Sequence, residues 1–122
     1  MKTKNKQYKA TIIEQTIVEN SASLLLKIDS NIAYFDGHFD NYPILAGVVQ
    51  LDWAIHYGKE LLSVNSVFSG MEVIKFQQPI LPNMLVLLTL RWEREKNKLY
   101  FSYTSEGNNN HASGRIKLEP AQ

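Results

Sequence analysis

The sequence predicts an α+β domain in which one long buried central helix is wrapped by a curved, mainly antiparallel β-sheet. Three observations lead there. Residues Gly47 to Leu62 form the one convincing helix, and Val48, Val49, Leu51, Trp53, Ala54, Ile55, Tyr57, Leu61 and Leu62 make it apolar on nearly every side. A helix of that kind is buried rather than laid on a surface. The remaining ordered segments are β-rich, and the breaks between the later ones are turn formers of hairpin length.

Taken in order, Tyr8 to Val18 and Ala22 to Ile28 read as strands joined by the turn Glu19-Asn20-Ser21. Asp29 to Pro43 has no helical period and reads as loop, with Tyr34, Phe35, Phe39 and Tyr42 expected to pack inward and stiffen it. The helix over Gly47 to Leu62 ends at Ser63 to Asn65. Four strands follow, Ser69 to Phe76, Met84 to Glu93, Leu99 to Thr104 and His111 to Leu118. They are separated by Pro79 to Asn83, Arg94 to Lys98 and Gly107 to Asn110. No repeat, linker or composition shift divides the chain, so residues 1–122 read as one domain in the layered α+β class.

Composition narrows the function. With 44% hydrophobic and 20% charged residues the chain has ordinary globular character. A net charge of +1 gives no bulk attraction to nucleic acid or to an anionic membrane. The absence of cysteine excludes disulfides, thiolate zinc sites and a cysteine nucleophile. The basic start Met1-Lys2-Thr3-Lys4-Asn5-Lys6 is followed by charged positions where a signal peptide needs an apolar run. The apolar run from Leu45 to Ile55, broken by Gln50 and Asp52, is too short to span a bilayer. A soluble cytoplasmic protein is the expectation.

Chemistry concentrates in Gly37 to Asp52, which places a histidine in a loop, a glycine at a helix start and a carboxylate inside the helix. Histidine titrates near neutrality and suits proton transfer, although a lone histidine in an aromatic loop is more often a packed residue with one hydrogen bond. Asp52, between Leu51 and Trp53 on a helix read as buried, is expected to be paired, protonated or facing a cavity, because a buried unpaired carboxylate is costly. Gly47 lets a ligand approach the backbone at the positive end of the helix dipole, or it is a plain helix-start glycine. His56 shares a helix face with Asp52 at i+4. It could orient the carboxyl through a ring N–H or act as a counter-charge that keeps it ionised. A metal site built from His38, Asp52 and His56 is not expected. His111 reads as solvated in its Gly/Asn-rich turn, and Trp53 and Trp92 as core or interface packing.

The string Gly37-His38-Phe39, Pro43-Ile44, Gly47-Val48 and Asp52 resembles the active-site segment of the hotdog-fold 3-hydroxyacyl-[acyl carrier protein] dehydratases (FabA/FabZ-like). Their pattern reads roughly G-H-F-P-x-x-P-I-x-P-G-V, with an acidic residue later in the helix. Lys75-Phe76-Gln77-Gln78-Pro79-Ile80-Leu81-Pro82-Asn83 resembles their second element, K-F-x-x-P-[VI]-x-P-G. The two motifs extend the match over roughly residues 34 to 92. Leu51-Asp52-Trp53 and the short length are similar to the small dehydratases of aryl polyene biosynthesis (ApeI-like).

The resemblance implies removal of water from a carrier-bound 3-hydroxyacyl thioester, giving the trans-2-enoyl thioester, in fatty acid or aryl polyene type biosynthesis. It assigns His38 the base that takes the C2 proton, Asp52 the acid that protonates the leaving hydroxyl, and the Gly47 amide the donor that holds the thioester carbonyl. Phe39, Pro43, Val48 and His56 would line the substrate. No cofactor or metal is implied beyond the phosphopantetheine that carries the substrate. The implied partners are an acyl carrier protein and a second hotdog subunit, identical or related, with a higher oligomer open. His38 of one subunit would work with Asp52 of the other. A hotdog thioesterase and a non-catalytic accessory subunit are the rival readings. Asp40 and Ala46 replace two prolines of the pattern and Asn83 its final glycine, while Gln77 and Gln78 stand where many relatives are basic. Lys59, Lys75, Arg91 and Arg94 are left as candidates for an acidic carrier.

Overall fold

The computed structural model describes residues 7–35, 44–62, 64 and 66–120. Strands β1 (Thr11–Val18) and β2 (Ser21–Lys27) form the expected hairpin, with Glu19 in a left-handed conformation in its turn. A short 3-10 turn at Ala33–Phe35 precedes helix α1 (Gly47–Leu61). Strands β3 (Ser66–Phe76), β4 (Leu85–Glu93), β5 (Lys98–Ser105) and β6 (Asn109–Pro120) complete the chain. They form one six-stranded antiparallel sheet in the order β1-β2-β4-β5-β6-β3. All six expected strands are present, and the helix ends one residue earlier than read.

The sheet curves around α1, which packs against β3, β4 and β5. Alternation places Ala22, Leu24 and Leu26 of β2 and Val86, Leu88, Leu90 and Trp92 of β4 on the inner face. Leu99, Phe101 and Tyr103 of β5 extend that face under the helix. The helix answers with Val49, Gln50, Trp53, Ala54, Tyr57 and Gly58. Trp53 is fully buried and its indole N–H donates to the Tyr8 carbonyl at 3.0 Å, so this core aromatic has no unpaired polar atom. Gly58 sets the separation of helix and sheet: a Cβ there would stand 2.8 Å from Leu99 Cδ2. Trp53 and Trp92 are core residues, as expected.

The helix is not buried all round. Val48 is 72% exposed, and Asp52 and His56 on the same face are exposed as well. The expectation that Asp52 is enclosed is therefore corrected for the single chain. The sheet covers one side of α1, and the apolar residues on the other side misled the reading. The described part of the Asp29–Pro43 loop is firmly tied. The Asp29 carboxylate accepts from Gln7 Nε2 at 2.6 Å and from Thr11 Oγ1 at 2.5 Å. The Ala33 amide donates to the Gln7 carbonyl at 2.7 Å, and Phe35 is buried. At Asp29 burial opposes ionisation, but hydrogen bonds from Thr11 and Gln7, with Lys27 nearby, outweigh it and hold the carboxyl below its usual range. Phe39 and Tyr42 lie outside the described residues, and of the expected inward aromatics Phe35 is the one whose side chain is described.

Candidate active site

The start of α1 is fixed from two sides. The Leu45 amide donates to the Ile80 carbonyl at 2.9 Å, joining the segment before the helix to the β3–β4 connection. From within the helix, Gln50 Nε2 donates to the Leu45 carbonyl at 3.0 Å. The Val49 and Gln50 amides turn back to the Ala46 carbonyl at 3.0 and 3.2 Å, closing the first turn. Ala46 supplies no side-chain cap, so the first amides of the helix, those of Gly47 and Val48, depend on partners outside the turn.

Gly47 opens the helix beneath the ring of Phe76. A Cβ at this position would lie 2.7 Å from Phe76 Cζ, so the absence of a side chain is what lets the ring reach the helix start. Around this contact is a cavity of about 530 Å³. Ile44, Leu45, Ala46, Gly47 and Gln50 form one wall, and Phe76, Gln77, Gln78, Pro79 and His111 form the other. Apart from His111, the residues of both walls belong to the two sequence motifs. Asn83, which replaces the second motif's glycine, takes the left-handed conformation at φ 70° that this turn requires.

His111 is corrected. It is 1% exposed, lies within β6 and faces the cavity, where a solvated turn residue was expected. Its Nδ1 is 3.0 Å from the Gln78 carbonyl and so donates to it, while Nε2 is 2.8 Å from the Ser105 hydroxyl. The Gln77 amide donates to the His111 carbonyl at 2.9 Å. The imidazole thus braces the backbone that carries Phe76 to Pro79. The polar run Gly107 to Asn110 hid this, because β6 begins inside it at Asn109.

Asp52 and His56 lie on the exposed face of α1, and neither lines the cavity that holds Gly47. His56 Nε2 pairs with Glu60 Oε2 at 2.9 Å, and its ring meets Tyr57 edge-on at 5.0 Å. In the single chain His56 Nε2 is thus engaged by Glu60, one turn further from Asp52. His38, Phe39 and Pro43 lie outside the described residues. Deeper in the core, the Tyr103 hydroxyl donates to the Gln50 carbonyl at 2.7 Å. Burial, with Tyr57 and Asp52 adding to it, pushes that phenol well above its ordinary range, so it stays a donor.

Sequence reasoning missed Gln50 and Phe76 as parts of this site. The available signal was Gln50 itself, a polar residue in an apolar helical run. No described helix is long and apolar enough to cross a membrane.

Comparison with known proteins identifies the relationship. The family model of the ApeI-like proteins (ApeI dehydratase) matches residues 14–115. A chain of the dehydratase heterocomplex ApeI:P from Xenorhabdus doucetiae superposes with a TM-score of 0.86 at 35% identity, covering 91% of this chain and 98% of its own. An uncharacterized protein of Erwinia carotovora subsp. atroseptica matches with a TM-score of 0.78 at 36% identity, over 93% and 95% of the two chains. The 3-hydroxyacyl-[acyl-carrier-protein] dehydratase FabZ of Polynucleobacter necessarius subsp. necessarius (strain STIR1) is 26% identical over 88 residues, 66% of this chain and 58% of that protein. The chain thus spans a little over half the length of the first curated relatives it matches. With a hotdog fold and a family match over most of its length, the chain belongs to the ApeI-like dehydratase family.

Proposed function

We propose that this protein dehydrates a 3-hydroxyacyl group held as a thioester on the phosphopantetheine of an acyl carrier protein, releasing the trans-2-enoyl thioester. The observation that carries the reading is the cavity at Gly47, where a helix start, a close-approach glycine and both family motifs meet. The Gly47 amide, at the positive end of α1, would donate a hydrogen bond to the thioester carbonyl oxygen and stabilise the enolate-like charge that develops when C2 loses its proton. His38 takes that proton. Asp52 gives a proton to the departing hydroxyl, so that water leaves. The reaction is proton transfer and elimination, and it calls for no further cofactor.

Asp52 stands on an exposed helix face beside Val48, and a second hotdog subunit laid on that face would enclose it. In this reading the site is shared, with His38 of one subunit acting on substrate beside Asp52 of the next. The partner is a second copy or a related subunit, and the setting is cytoplasmic fatty acid or aryl polyene type biosynthesis. A supporting, non-catalytic role is the second reading, favoured by the bare Asp52 face and by the heterocomplex in which a structural neighbour occurs.

The test is incubation of the purified protein with a 3-hydroxyacyl carrier-protein thioester, following loss of water by mass spectrometry. Dehydration supports the proposal. Appearance of free thiol would instead favour a thioesterase, and activity that needs an added related subunit would favour the supporting role.

A further inference from the structure

Gln50 is 4% exposed, and its Oε1 is buried without a hydrogen-bond partner among the described residues. The orientation of this amide follows from chemistry. Its other end is 3.0 Å from the Leu45 carbonyl, which can only accept, so that end is the NH₂ and the orphan is the oxygen. Leaving such an acceptor unmet inside a protein is costly. The rest of the residue is fully engaged, since its carbonyl accepts from Tyr103 and its amide donates to Ala46. Gln50 lines the same cavity as Gly47, three residues further along α1. That spacing is about 4.5 Å of helix rise, a span covered by a few atoms of an acyl chain. Between them, Ile44, Leu45, Phe76 and Pro79 offer apolar walls. The polar neighbour His111 has its Nδ1 donating to Gln78.

We infer that Gln50 is a specificity-determining residue whose buried Oε1 accepts a hydrogen bond from a hydroxyl on the bound acyl group. The inference rests on the proposed dehydratase reading. An acyl group whose carbonyl lies at the Gly47 amide brings its first few carbons abreast of Gln50, where a 3-hydroxyl is the nearest donor and a hydroxyl further along the chain is the other. A hydrocarbon chain in the same place leaves the acceptor unpaired. Sites that hydrogen-bond a substrate hydroxyl reject the analogue lacking it far more strongly than apolar pockets reject an extra methylene.

Binding of unreactive amide analogues tests this without requiring turnover. Pantetheine amides of a 3-hydroxyacyl, a distally hydroxylated and an unsubstituted chain are titrated calorimetrically into the full-length protein, with thioester dehydration followed in parallel. One of the hydroxylated chains is expected to bind roughly tenfold to a hundredfold more tightly than the plain chain, and which one does so identifies the donor. Gln50→Met should erase that preference. Gln50→Glu keeps an acceptor and loses the donor to Leu45, so it should retain the preference even where it lowers the melting temperature. The ratio between ligands is independent of the folded fraction. Equal binding of all three chains by the wild-type protein, or an unchanged ratio in Gln50→Met, overturns the inference and leaves the orphan oxygen to a buried water. Dehydration observed alongside equal binding would sink this inference alone, whereas absent dehydration with a hydroxyl preference would sink the reaction and keep the site.

Discussion

The two faces of α1 differ in how much of their environment one chain supplies. The inner face, with Val49, Gln50, Trp53, Ala54, Tyr57 and Gly58, is buried against the sheet, apart from the cavity that Gln50 lines. The outer face, with Val48, Asp52 and His56, is bare, apart from the His56–Glu60 pair. Substitutions on the inner face should act on the stability of the single chain. Those on the outer face should act on assembly and chemistry.

The largest effect is expected from the proposed reacting groups. His38→Ala and Asp52→Asn should each lower dehydration by roughly 10²–10⁴, with circular dichroism and melting temperature unchanged. Wild-type turnover in both would break the proposed mechanism. Trp53→Ala, two turns into the inner face, removes a fully buried indole and should cost about 3–5 kcal/mol in urea unfolding. On the outer face Val48→Asp should leave the unfolding free energy of the single chain within about 0.5 kcal/mol while weakening any dimer seen by sedimentation. A large stability loss in a monomeric sample would show that the outer face is not the bare surface described. Tyr103→Phe leaves the Gln50 carbonyl without its hydroxyl donor and should cost about 1–3 kcal/mol.

The smallest effect is a pH dependence outside the helix. The Asp29 carboxyl is held below its usual range, so its contribution is fully present above its unfolded value near 3.8 and is lost as pH falls through the lower folded value. Thr11→Val should lower stability at pH 7 by under about 1 kcal/mol, a partly exposed site being screened by solvent. The gap from wild type should close under acid. A gap that persists at pH 2 would assign the loss to packing instead.

Much of the sheet was legible because its strands alternate cleanly. The β4 sequence Leu85 to Glu93 buries every second residue, and period two allows little else. The helix was legible from its length and apolar run. Its orientation was not, because Val48, Leu51 and Ile55 are equally suited to a core or to a subunit face, and apolar character does not say which. His111 was misread for a different reason. A polar run with glycine and three asparagines looks like turn throughout, yet its last two residues already pair as strand. Gln50 could be seen as an oddity, but how its polar atoms are met depends on the Leu45 carbonyl, which takes its side-chain NH₂, and on Tyr103, 53 positions away, which donates to its backbone carbonyl. The motif residues themselves were readable from the chain. Of these, Gly47 lies in the cavity, whereas the roles given to His38 and Asp52 rest on the proposal.

The bond between the Leu45 amide and the Ile80 carbonyl carries one more consequence. It clasps together two stretches of chain that a linear reading treats as separate signatures, so mechanically they are one part. Widening the cavity by moving Phe76 to Pro79 pulls on the origin of α1, and tilting the helix start drags the second stretch with it. A ligand in the proposed site would therefore meet a jaw whose two sides share a fastening. A substitution that loosens either side will change the grip of both.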